Sequence, residues 1–182
     1  MLKILRAPQS ILSQPAKRVE KINKKILEII DEMKVALNQQ SDPEGVGLAA
    51  PQVGYSLKIF ITKPTSKSAI RVFINPEITW LSDDLTSNDS ESKNPLEGCL
   101  SLPKIWGPVQ RHKSLKLRYL TPDGQSHEEL FKDFLAVIIQ HEMDHLEGRL
   151  FTQRVLLQKG KLYQTVGKNE DGSDIFEEVE VS

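Results

Sequence analysis

The sequence predicts a single α+β domain in which antiparallel or mixed sheets pack around one central helix that carries a metal-ligand motif. Three observations predict it. Short strand-like stretches recur on both sides of one apolar, helix-like run over 131–146. That run closes on His141-Glu142-Met143-Asp144-His145. No repeat or linker divides the 182 residues, a length suited to one core. Strands grouped about a single helix are an α+β pattern, so the domain is expected to span 1–182.

The elements follow in order. The first twenty residues read as irregular and extended, because Pro8 and Pro15 interrupt any helix. A helix is predicted over 22–40, with Ile22, Ile26, Ile29, Met33 and Leu37 three or four apart and lysines and glutamates on the wet face. Ser41-Asp42-Pro43-Glu44-Gly45 stops it, and a loop, GVGLAAPQVG, follows. Strands are predicted over 57–63, 70–75 and 77–81. The polar, acidic stretch 82–95 reads as a mobile surface loop. Two more strands, 113–120 and 126–130, flank the turn signal Thr121-Pro122-Asp123-Gly124. The motif helix occupies 131–146, with Gly148 as its stop. A last strand is expected at 175–181, where IFEEVEV alternates with period two.

Composition excludes more than it selects. Lysine plus arginine number 24 against 25 for aspartate plus glutamate, so no global field draws the chain to nucleic acid or anionic lipid. The one cysteine rules out an internal disulfide and fits a reducing compartment. The N-terminus has no continuous apolar stretch of signal-peptide type, and no run is long enough to span a bilayer. A cytoplasmic protein is expected, with an organelle still open.

Histidines four apart share one face of a helix, so His141 and His145 can both reach one metal, while Glu142 can address a water beside it. Phe134, Val137 and Ile138 precede His141 by seven, four and three residues and should continue that face inward. Burying two imidazoles and a carboxylate there costs several kcal/mol unless they are satisfied, and a cation satisfies all three. Core histidines bonded to carbonyls are the plainer alternative. Cys99, in Glu97-Gly98-Cys99-Leu100-Ser101, supplies a third donor at a distance unlike a zinc-finger knuckle and compatible with an open catalytic site. Gly98 would let backbone approach the metal. Gly45-Val46-Gly47-Leu48-Ala49-Ala50-Pro51-Gln52 lacks nucleotide-binding spacing, but the Gln52 amide could donate to an oxyanion.

The segments GVGLAAPQ, EGCLS and QHEMDH, in this order, resemble the three signature motifs of peptide deformylases, and ILRAPQSILSQPAKRV resembles the extended start of that family. The resemblance spans about residues 2 to 156. It implies a hydrolase that removes the N-formyl group from the initiator methionine of new polypeptides, with Cys99, His141 and His145 binding Fe2+, which Zn2+, Ni2+ or Co2+ can replace. It implies that Glu142 is the general base on the water, and that the Gln52 amide and the Leu100 backbone N–H hold the oxyanion. It places Gly45, Val46 and Gly47 against the substrate peptide, with Phe134, Val137 and Ile138 forming an apolar pocket suited to methionine. Glu97 and Arg111, with Asp144 as a further partner for Arg111, are candidates for a charged shell that orients the site, and plain surface charges are the equal alternative. Trp106 either lines the cleft or simply packs, and His112 and His127 match no motif.

The expected partners are N-formyl-Met nascent peptides met by a monomer, with transient ribosome contact, no direct nucleic-acid function and no membrane. Some family members end in a helix that docks on the ribosome. Here the tail 168–182 has six acidic residues against one lysine, a poor match for that anionic partner. Three rivals remain at this stage, one of them an enzyme of this family tuned to a different N-acyl group. A zinc peptidase would draw a third ligand from downstream, such as Glu147 or Glu170. A structural metal module would need a fourth ligand, such as His112 or His127.

Overall fold

The protein is described by a computed structural model covering residues 2–40, 45–87 and 96–179. Helix α1 (Lys24–Asn38) starts where the Asn23 side chain accepts the backbone N–H of Ile26. The predicted helix therefore loses its first two residues, and Ile22 packs on the core from just outside it. Its apolar face (Ile26, Ile29, Ile30, Met33, Ala36, Leu37) is buried.

The glycine-rich stretch expected to be a loop is ordered secondary structure. It forms strand β1 (Gly47–Ala49) and a 3-10 turn over Ala50–Val53, both fully buried. A buried edge strand has no polar side for alternation to reveal, which is why it read as a loop. Strand β2 (Ile59–Thr62) follows, and then β3 (Arg71–Leu81), one strand where two were predicted. The break expected at Pro76 is instead a register shift between Ile74 and Glu77.

Beyond it, residues 82–87 do not form a free loop. Backbone N–H groups of Ser82 and Thr86 donate to Ser114 and Arg111, Lys113 donates to Asp84, and Leu85 bridges His112. The rest of the expected mobile loop, 88–95, lies outside the described residues, as does the end of the tail, 180–182.

Strands β4 (Glu97–Cys99) and β5 (Leu102–Gly107) were not predicted. Strands β6 (Ser114–Leu120) and β7 (Ser126–Lys132) form the expected hairpin. Helix α2 (Asp133–Leu146) follows, then a short unpredicted helix α3 (Phe151–Leu157). A terminal hairpin joins β8 (Leu162–Lys168) to β9 (Asp174–Val179), of which only β9 was foreseen.

Among the described residues these strands form two antiparallel sheets, ordered β1-β2-β3-β6-β7 and β4-β5-β8-β9. Helix α2 packs on β1, β2 and β7 of the first sheet, above a core with stacked Phe60 and Phe73. The second sheet carries Cys99, which joins Phe151, Val155 and Leu162 in a smaller core under α3. The site thus forms where α2, the edge strand β1 and the edge strand β4 converge. No described helix is long and apolar enough to cross a membrane.

Candidate metal centre and cleft

Helix α2 presents His141 and His145 one turn apart, and β4 ends at Cys99 opposite them. One donor atom from each of the three lies within 4.8 Å of the others. That span suits one ion with bonds of about 2.0–2.3 Å to sulfur and nitrogen. Cys99 Sγ is 3.1 Å from His145 Nε2, and the Ser101 backbone N–H points at the same sulfur from 3.4 Å. Burial opposes a charged thiol, yet the His145 and His141 rings hold Cys99 well below the usual thiol range. A thiolate is the form that ligates metal.

His141 is oriented from behind. Glu97 Oε2 accepts from His141 Nδ1 at 3.0 Å, which leaves Nε2 free for a ligand. Glu97 is held in turn by Arg111, whose Nε and Nη2 donate to its two oxygens at 2.8 and 2.9 Å. Burial works against this carboxylate, but Arg111 outweighs it and brings the Glu97 pKa down to about 2. Arg111, 3% exposed, also donates from Nη1 to Asp144 Oδ2 at 2.6 Å. The expected charged shell is therefore present, and Arg154, which the sequence reading missed, adds a second cation on Asp144. Its signal would have been the i,i+10 placement on a helix that the reading did not find.

Glu142 stands one step round the helix, 3% exposed, and lines the cleft. Its Oε2 has no hydrogen-bond partner, and neither has His145 Nδ1. Burial, resisted by the two histidines, pushes the Glu142 carboxyl up to about 7. A buried carboxylate oxygen without a donor is costly. An ion carrying water between Cys99, His141 and His145 would supply the missing donor, so the residues present fit a divalent metal.

Gln52 completes the floor. Its Oε1 accepts the Ala49 backbone N–H at 2.8 Å, which fixes the amide so that Nε2 points at Ser101 Oγ (3.2 Å) and Cys99 Sγ (3.5 Å). Ser101, fully buried, was given no role from sequence. The EGCLS motif contained it, but spacing alone does not reveal that it shares the amide of Gln52.

A cleft of about 270 Å³ opens above these groups. Every residue expected to touch substrate lines it: Gly45, Val46, Gly47, Phe134, Val137 and Ile138, together with Leu100 and Trp106. Two expectations need correction. Phe134 lines the cleft but is 46% exposed, so it forms the rim rather than a buried wall. The open side of Gly98 faces the Trp106 ring, where a Cβ would come within 2.6 Å, so it makes room for the indole. Gly47 has a constraint of its own. A Cβ there would run into the Glu142 carboxylate and Ile138.

The remaining histidines lie elsewhere. His112 Nδ1 meets the Ser82 carbonyl at 2.5 Å, and His127 stacks on Tyr119. Among the described residues the only cluster of potential ligands is the triad itself, with the cysteine upstream of the helix. Neither a fourth ligand of a closed site nor a downstream ligand of peptidase type joins that cluster among the described residues.

A family model described as polypeptide deformylase matches residues 1–161. The chain belongs to the polypeptide deformylase family. It is 39% identical over 155 residues to a peptide deformylase of Fusobacterium nucleatum, covering 84% of this chain and 83% of the other. A peptide deformylase of Pseudothermotoga lettingae is 38% identical over 141 residues, covering 78% and 75%. Among solved structures, the peptide deformylase of Thermotoga maritima superposes with a TM-score of 0.75 at 32% identity, covering 85% of this chain and 97% of that one. That of Synechococcus elongatus, in complex with actinonin, superposes with a TM-score of 0.73 at 33% identity, covering 84% and 78%. The deformylase match ends one residue short of the terminal hairpin.

Proposed function

We propose that this chain is a metal-dependent hydrolase that removes the N-formyl group from the initiator methionine of nascent polypeptides and releases formate. The observation that carries this reading is the convergence of Cys99, His141 and His145 beside a buried Glu142 carboxylate that faces the cleft. Family membership narrows that geometry to formyl-peptide chemistry.

Cys99 Sγ and the His141 and His145 rings would hold the ion. Their mixed thiolate and imidazole set suits borderline divalent metals, with Fe2+ as the physiological one and Zn2+, Ni2+ or Co2+ as substitutes. When bound, the cation supplies Lewis acidity towards the formyl carbonyl and acidifies water at the site. Glu142 takes a proton from the attacking water on its carboxylate and returns it to the departing amine, serving first as base and then as acid. The Gln52 Nε2 amide, locked by Ala49, and the Leu100 backbone N–H stabilise the charge that develops on the formyl oxygen. Val46, Val137 and Ile138 take the methionine side chain, and Phe134 closes the rim. Under the same reading the chain works as a monomer in the cytoplasm of a bacterium, meeting nascent chains transiently as they leave the ribosome.

The test is release of the free methionine amine by anaerobically purified, Fe2+-loaded protein from an N-formyl-Met peptide, with formate assayed in parallel and the N-acetyl-Met peptide alongside. Rapid release from the first alone supports deformylation. Folded, metal-loaded protein that releases no formate would overturn it.

A further inference from the structure

The deformylase family match stops at residue 161, but the fold does not. Strand β8 begins at Leu162 and adds the terminal hairpin to the same sheet that carries Cys99. Strand β5 lies between them and bears Trp106. Trp106 is paired with Gly98 on one side and Tyr163 on the other. Its ring lies against the bare face of Gly98, one residue before the candidate metal ligand, and lines the cleft.

Two hairpin side chains hold that ring. Thr165 Oγ1 accepts the indole N–H at 2.8 Å. Phe176 meets the indole edge-on, with centroids 6.1 Å apart and planes at 76°. Thr165 and Phe176 are themselves cross-strand partners, so they project on one face of the hairpin as a unit. An indole bonded through its N–H and packed against a second ring is held in one orientation, the one in which it lines the cleft.

The cleft then has two apolar walls. Helix α2 provides one, and in the proposed function it takes the methionine. The indole provides the other, across β4. We infer that the terminal hairpin fixes Trp106 as the wall that selects the substrate side chain immediately after the formyl-methionine, favouring aromatic and long aliphatic residues there. Thr165 and Phe176 are positioning residues in this assignment, acting through Trp106. The inference rests on the deformylase reading, since it names a second determinant of the same reaction.

The experiment compares formate release from formyl-Met-Phe and formyl-Met-Ser peptides by the full, metal-loaded chain and its Phe176→Ser and Thr165→Val variants. Phe176 is 40% exposed, so its replacement leaves the core intact. In wild type the Phe peptide should have the lower KM. Each variant should raise that KM about three- to tenfold, the scale of one aromatic contact, with kcat for the Phe peptide little changed. For the Ser peptide KM should move less than twofold. Phe176→Tyr and Thr165→Ser keep the ring and the acceptor, and should restore the preference. Equal KM for both peptides in wild type would overturn the inference, as would variant losses shared by both peptides or losses appearing when methionine itself is replaced. No formate from wild type with either peptide would remove the deformylase reading, and this assignment with it. Formate release with no hairpin effect would remove this assignment alone.

Discussion

At the scale of single residues, the least expected constraint falls on Gly47. The glycine-rich segment read as a flexible turn, yet its second glycine is fixed by a neighbour that sequence spacing cannot bring near. A Cβ at Gly47 would sit 2.9 Å from Glu142 Cδ and 3.0 Å from Ile138 Cγ2. The carboxylate occupies that space, so it must shift when a methyl group fills it. Gly47→Ala should therefore lower kcat by about 100-fold, the cost of misplacing a reacting group by roughly 1 Å. The accompanying loss of stability should be about 1–3 kcal/mol, as for overpacking in general. Steady-state kinetics on protein matched for metal content, together with urea unfolding, check both figures. Unchanged turnover would mean that the position of Glu142 is not critical. The donor residues were readable because a helix converts spacing into geometry, and His141, Glu142 and His145 needed nothing else. Ser101 and Arg154 were not readable, because their partners come from other elements.

At the scale of elements, three side-chain amides do work that a strand ladder would otherwise do. Asn75 accepts from the Val19 N–H at 2.8 Å and donates to the Val19 carbonyl at 2.9 Å. Gln140 on α2 pairs in the same way with His112, and Gln158, just after α3, pairs with Gln110. These clamps fasten irregular segments to the sheets and helices. Asn75 does so at a positive φ of 50°, which asparagine tolerates better than most residues. Asn75→Ala would orphan both polar groups of Val19, so urea denaturation should show a loss on the order of 3 kcal/mol. A loss well under 1 kcal/mol would mean that water replaces the clamp at no cost. The long periodic elements, α1, α2 and the β6–β7 hairpin, were legible because burial imposes a repeat on them. Strands β4 and β5 and helix α3 were not. Pro103 and Gly107 blur the pattern of β5, and α3 has only Phe151 and Val155 buried. Strand β8 buries only Leu162, so it offers almost no alternation to read.

At the scale of the whole molecule, the second sheet and α2 meet at one buried cation. Arg111 links Glu97 on β4 to Asp144 on α2, and Arg154 on α3 joins from the other side. Burial opposes both carboxylates. Arg111 holds Glu97 down to about 2, and Arg154 with Arg111 holds Asp144 below its ordinary value. Groups with depressed pKa bind fewer protons folded than unfolded, so their contribution is present in full above their unfolded pKa values. It is lost as the pH falls through the folded ones. In the metal-free protein these two carboxylates should therefore add no slope to the melting temperature above about pH 5, and should cost stability from about 4.5 towards 2. Glu97→Gln and Asp144→Asn should each flatten that acid limb in thermal melts. A wild-type limb that starts near pH 6 would mean that other groups govern acid unfolding.

The central claim is that Glu142 performs proton transfer for hydrolysis at an ion held by Cys99, His141 and His145. Its most direct test is the turnover of Glu142→Gln, loaded with Fe2+ to the same content as wild type, on a formyl-Met peptide. The substitution keeps the shape and removes the base. A fall in kcat of about 10²–10⁴-fold, with one metal per chain retained, is the predicted result. Turnover within a few-fold of wild type at equal metal content would contradict the account.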